Sequence, residues 1–146
     1  MTDDQNRQAL DDLIASRSLG VLATMKRDGR PQLSNVVYAF DREAGVIRVS
    51  VTDGRAKTAN LRRDPRASFH VSSDDGWAYA VAEVRAELSP VAVEPGDDTV
   101  AELVGLYRAV QGEHPDWDDY RRAMVGERRL VLRLHVERRY GVAPRG

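Results

Sequence analysis

Trp77-Ala78-Tyr79-Ala80-Val81-Ala82-Glu83-Val84-Arg85-Ala86-Glu87-Leu88 is the longest alternating run in the chain. Successive side chains of a strand point to opposite faces. Ala78, Ala80, Ala82, Val84, Ala86 and Leu88 therefore share one face, and Trp77, Tyr79, Val81, Glu83, Arg85 and Glu87 share the other. Small residues along so long a face predict a tightly curved or closely packed sheet.

The flanks carry more strands. Residues 67–72 precede the run, joined to it by the turn Asp74-Asp75-Gly76. Further upstream, residues 20–25 and 32–40 flank a hairpin turn in which Asp28-Gly29 supplies positive φ. Residues 46–51 alternate cleanly, with Ile47, Val49 and Val51 one way and Arg48, Ser50 and Thr52 the other. Downstream, Leu130, Leu132, Leu134 and Val136 alternate with Val131, Arg133, His135 and Glu137 as a closing strand. Helical periodicity marks residues 4–16, with Ala9, Leu10, Leu13 and Ile14 on one stripe. It marks a helix from Asp97 or Asp98 through Val110, with Val100, Leu103, Val104 and Tyr107 buried, and a shorter one over 115–125. Another short helix follows Gly54, and Asp64-Pro65 ends it. Six strands joined mostly by hairpin-type turns predict a mainly β protein with helices. The expected fold is one antiparallel barrel over residues 1–146 rather than a doubly wound α/β sheet.

Composition narrows the function classes. A chain of 146 residues buries about two-thirds of its unfolded surface and needs no staples. It has no cysteine, which excludes disulfides, thiolate metal sites and a cysteine nucleophile. His70, His114 and His135 are too scattered for a local metal motif. With 22 basic and 23 acidic residues, the charge balance argues against a nucleic-acid partner. No apolar run approaches the roughly 18–20 residues of a membrane span, and the polar, acidic start at Met1-Thr2-Asp3-Asp4 is unlike a signal peptide. A cytoplasmic protein without a membrane partner is expected. Dinucleotide, Walker and Gly-x-Ser-x-Gly motifs are missing, which disfavours those enzyme classes.

The richest segment runs from Val49 through Thr52-Asp53-Gly54-Arg55-Ala56-Lys57-Thr58 to Pro65. Lys57 is one of only two lysines in an arginine-rich chain. Strand, turn and helix start bring free backbone N–H groups, the helix dipole and two cations to one point, as an anion site requires. Cations in a first helical turn oppose the dipole unless an anion compensates. Gln32, Ser34 and Asn35 interrupt an otherwise apolar strand. They either bond to neighbouring turns or read the edge of a polar heterocycle. Trp77 and Tyr79 put two rings on one strand face, to pack at an interface, to stack on a flat ring, or both. Glu113-His114-Pro115-Asp116 reads as a capped acidic helix start, and His70 and His135 as strand residues without evident carboxylate partners.

Four segments together resemble the split β-barrel flavin and deazaflavin oxidoreductases related to pyridoxamine 5′-phosphate oxidase, closest to the group that uses coenzyme F420. They are Gly20-Val21-Leu22-Ala23-Thr24, the stretch from Gly29 to Asn35, the stretch from Arg55 to Pro65, and Asp75-Gly76-Trp77-Ala78-Tyr79-Ala80-Val81. The resemblance implies an FMN-binding-like barrel and a homodimer with a cofactor site at the subunit interface. Gln32, Ser34, Asn35, Val36 and Val37 would lie along the cofactor ring. Ser50, Val51, Arg55, Lys57 and Thr58 would hold its phosphate, and Trp77 and Tyr79 would approach from the partner chain. It implies F420, with FMN as the alternative, and a small-molecule substrate; no side chain is expected to act as a catalytic acid or base. Arg55-Ala56-Lys57 departs from the adjacent Arg-Lys pair of the oxidase. The few residues after Tyr140-Gly141 resemble no pyridoxine-phosphate grip, so vitamin B6 oxidation is not expected.

Overall fold

The computed structural model describes residues 2–144. The elements run α1 (Asp3–Ala15), β1 (Leu19–Met25), β2 (Pro31–Asp41), β3 (Val46–Thr52), α2 (Ala56–Arg63), β4 (Arg66–Ser72), β5 (Tyr79–Leu88), α3 (Asp98–Gln111), α4 (Trp117–Gly126) and β6 (Arg129–Val142). The six strands close into an antiparallel barrel in the order β1-β2-β3-β6-β5-β4. This is the six-stranded split barrel expected from the sequence.

Alternation decides what fills the barrel. Leu22, Tyr38, Ile47, Val49, Val51, Phe69 and the alanines of β5 all point inward and are buried. The alanines leave room for larger partners, and the Tyr38 ring meets Phe69 edge-on at 4.7 Å. Helix α1 packs Leu10, Leu13 and Ile14 into the same core. The Tyr38 hydroxyl donates to the Ile14 carbonyl, and burial raises that phenol well above its ordinary range. Helices α3 and α4 form a second apolar layer, with Val100, Leu103, Val104 and Met124 against Val131 of β6.

The start of β5 and the surroundings of His135 differ from expectation. The strand expected from Trp77 begins only at Tyr79. Asp75 Oδ1 accepts the Trp77 N–H (3.0 Å) and Ser73 Oγ accepts that of Ala78 (3.1 Å), so side chains in the turn replace ladder bonds. His135 does have a carboxylate neighbour, with Nε2 lying 2.8 Å from Glu87 Oε1. The β5–β6 register sets Arg85 opposite His135 and Glu87 opposite Arg133, which makes the contact a diagonal cross-strand pair.

Candidate functional site

Where β3 gives way to α2, the chain turns at residues 52–55. Arg55 N–H donates to the Thr52 carbonyl (3.2 Å), and Thr58 Oγ1 donates to the same oxygen (2.9 Å). Arg55 is the N-cap in extended conformation and provides no side-chain acceptor. The first-turn N–H groups of α2 are thereby left for an external acceptor. Asn60 anchors the helix from below, donating to Thr24 Oγ1 (3.1 Å) and Gln32 Oε1 (2.8 Å).

Lys57 rises from that first turn, half-buried. Among the described residues the only lysine ion pair is Lys26 with Asp28, so the Lys57 ammonium has no carboxylate. Burial, then the charges of Arg55 and Arg129, hold its pKa below the usual lysine range. It borders a cavity of about 380 Å³. One wall is the strand pair, with Asn35, Val36, Val37 and Ser50; Lys57 and Arg129 supply the charge. The opposite wall is apolar and aromatic, built from Leu106, Tyr107, Val110 and Tyr120. A polar, cationic end beside an apolar, aromatic wall suits a largely apolar molecule bearing an anionic group.

The expected residues divide between this cavity and elsewhere. Asn35, Val36, Val37, Ser50 and Lys57 meet there, Val36 with its side chain turned into the core. Arg55 stands exposed at the cap of α2. Val51 is a core side chain and Thr58 is fully buried on the Thr52 carbonyl, so neither side chain borders the cavity. Gln32 spends its carbonyl oxygen on Asn60, and Ser34 shares the inward-facing side of β2. Trp77 (83 % exposed) and Tyr79 lie away from Lys57, and Tyr79 is stacked on His70 at 5.8 Å. Within one chain these two rings do not reach the cavity.

Arg129 and the helical wall join the site without a signal of their own in the sequence. Arg129 looks like surface charge until β6 pairs with β3, which sets it opposite Thr52 and next to Ser50. The apolar stripe of α3 was visible, but not that Tyr107 leaves the core to border a cavity with Tyr120. The segment 113–116 is indeed a helix start: Asp116 caps α4 by accepting from Asp119 N–H at 3.1 Å.

Residues 7–143 match the family model described as pyridoxamine 5′-phosphate oxidase. The chain belongs to that family. Its members are largely oxidoreductases on a fold that takes flavin-type cofactors. Among solved structures, a conserved hypothetical protein from Mycobacterium tuberculosis is 26% identical, with TM-score 0.72, covering 98% of this chain and 85% of that one. A structure named F420 reductase is 23% identical, with TM-score 0.67, covering 89% and 94%. A heme binding protein from Mycobacterium smegmatis is 26% identical with TM-score 0.67, and this chain spans 54% of its length. In the described residues no helix is long and apolar enough to cross a membrane.

Proposed function

We propose that the protein is a cytoplasmic, homodimeric oxidoreductase that uses coenzyme F420 to reduce an electron-poor double bond in a small organic substrate. The observation that carries this reading is the half-buried, unpaired Lys57 beside Arg129 at the uncapped start of α2. The residues present fit an acidic cofactor: an anion there would accept from open N–H groups and relieve repulsion among Lys57, Arg55 and Arg129. Reduced deazaflavin, when bound, supplies the hydride. The chain's own part is to bind and orient. Lys57, Arg55 and the α2 N–H groups hold the phosphate, and Ser50 lies beside it. The edge of β2 at Asn35 to Val37 lines the ring, while Leu106, Tyr107 and Val110 keep water from one side. Trp77 and Tyr79 serve the partner's site. FMN is the alternative cofactor, and a carrier that binds F420 without turnover is the non-enzymatic alternative.

Parallel titrations of coenzyme F420 and FMN, read by quenching of their fluorescence, test the reading. Tighter binding of F420, followed by oxidation of its reduced form by at least one member of a panel of quinones and enones, is expected. Preference for FMN would shift the assignment to a flavoenzyme. Binding without turnover on any panel member would make the protein a carrier.

A further inference from the structure

We infer that Arg129 is a second anion-binding residue of the Lys57 cavity, and that Glu127 occupies its guanidinium as a placeholder that an incoming acidic group displaces. The inference rests on the cofactor reading above. Arg129 Nη1 points to Ser50 Oγ at 3.5 Å, toward the cavity. Its Nε and Nη2 both donate to one oxygen of Glu127, at 3.1 and 3.0 Å. Glu127 is half exposed, and its other oxygen takes no part. A solvated pair made through one carboxylate oxygen is weak. Arg133, four residues along the same strand, shows the alternative: it grips both oxygens of the better-buried Glu102, at 2.6 and 2.9 Å. The Arg129–Glu127 pair is built to exchange, the Arg133–Glu102 pair to hold.

The backbone beside it supports that role. Arg128 is the one described non-glycine residue with positive φ, at 54°, a conformation that persists only where its surroundings impose it. Here they do. Arg128 Nη2 donates to Asp53 Oδ2 (3.0 Å), Asp53 N–H donates to the Arg128 carbonyl (3.0 Å), and Arg62 takes Asp53 Oδ1 (2.6 Å). This clamp ties the β3–α2 corner to the α4–β6 corner. It sets Arg129 opposite the α2 N-terminus, so that its cation and that of Lys57 face one space. Without an anion these two repel, and Glu127 offsets the repulsion.

The test is fluorescence titration of FMN, coenzyme F420 and riboflavin, which lacks the phosphate, against wild type, Arg129→Gln, Glu127→Gln and the double variant, with folding verified by thermal melting. Arg129→Gln should weaken the phosphate-bearing ligand by about tenfold or more and leave riboflavin unchanged. Glu127→Gln should tighten it a few-fold, and that gain should vanish in the Arg129→Gln background, because the two residues act as one unit. Arg129→Lys keeps the charge without the fork and should fall between. Wild-type affinity in Arg129→Gln, or the same gain from Glu127→Gln with and without Arg129, would overturn the inference while leaving the cofactor reading intact. If Arg129→Gln does not fold, absence of any tightening in Glu127→Gln overturns it. Failure of wild type to bind either phosphate-bearing cofactor overturns both.

Discussion

Lys57 sits in an environment that disfavours its own charge, being partly desolvated and flanked by Arg55 and Arg129. An anionic ligand reverses that balance. Lys57→Ala should lose about 1–3 kcal/mol of cofactor affinity in a binding titration, roughly five- to 150-fold. The sign of the pH dependence follows. Lys57 is charged at low pH and deprotonates below the ordinary lysine range, so affinity should fall as pH rises through that depressed pKa, and the fall should be absent in Lys57→Ala. Gly20 makes a separate prediction. A Cβ there would run into the ring of Phe69 in the packed core. Gly20→Ala should destabilise the protein by about 1–3 kcal/mol, seen as a lower melting temperature. The Gly20–Phe69 contact is not legible in sequence, since the two meet only across the β1–β4 pairing.

At the scale of elements, the sequence revealed the strands and helices because their apolar residues keep a clear period. It misjudged where non-periodic bonds intervene. Trp77 fell outside β5 because Asp75 and Ser73 capture its turn. β6 runs on to Val142, past the expected end at Glu137, because a register shift at Glu83/Val84 changes the phase of the pairing and hides Arg138 to Val142 from an alternation test. The β3–α2 junction was readable as an anion site because its signal is local. The wall from α3 and the cation from β6 were not, being brought in by topology. Helix α2 depends on Asn60, which binds β1 and β2 at once and is also reached by Arg63 at 3.0 Å. Asn60→Leu should leave Thr24 and Gln32 short of a partner and cost about 1–3 kcal/mol by denaturant melting.

For the whole molecule, arginines pin several carboxylates. Arg128 and Arg62 hold Asp53 below the usual range, Arg66 draws Asp64 down to about 2, and Arg133 and Arg48 lower Glu102. Depressed carboxylate pKa values give stability that is present above the unfolded value near 4 and lost as pH falls through the folded one. The melting temperature should therefore decline from about pH 5 toward pH 2, less steeply in high salt. The outer face of β1 and β2 carries Leu19, Leu33 and Val37 to solvent, and Tyr140 and Val142 do the same on β6. Leu33, 67 % exposed, is a site to test the proposed dimer. Leu33→Asp should leave the barrel folded, as read by circular dichroism, but shift sedimentation toward monomer, weaken cofactor binding and lower the melting temperature by the lost association. The decisive measurement is a crystal structure with coenzyme F420 bound. The phosphate should lie against Lys57 and the first turn of α2, with the ring beside Asn35 to Val37; a phosphate seated elsewhere, with Lys57 still unpaired, would overturn the assignment.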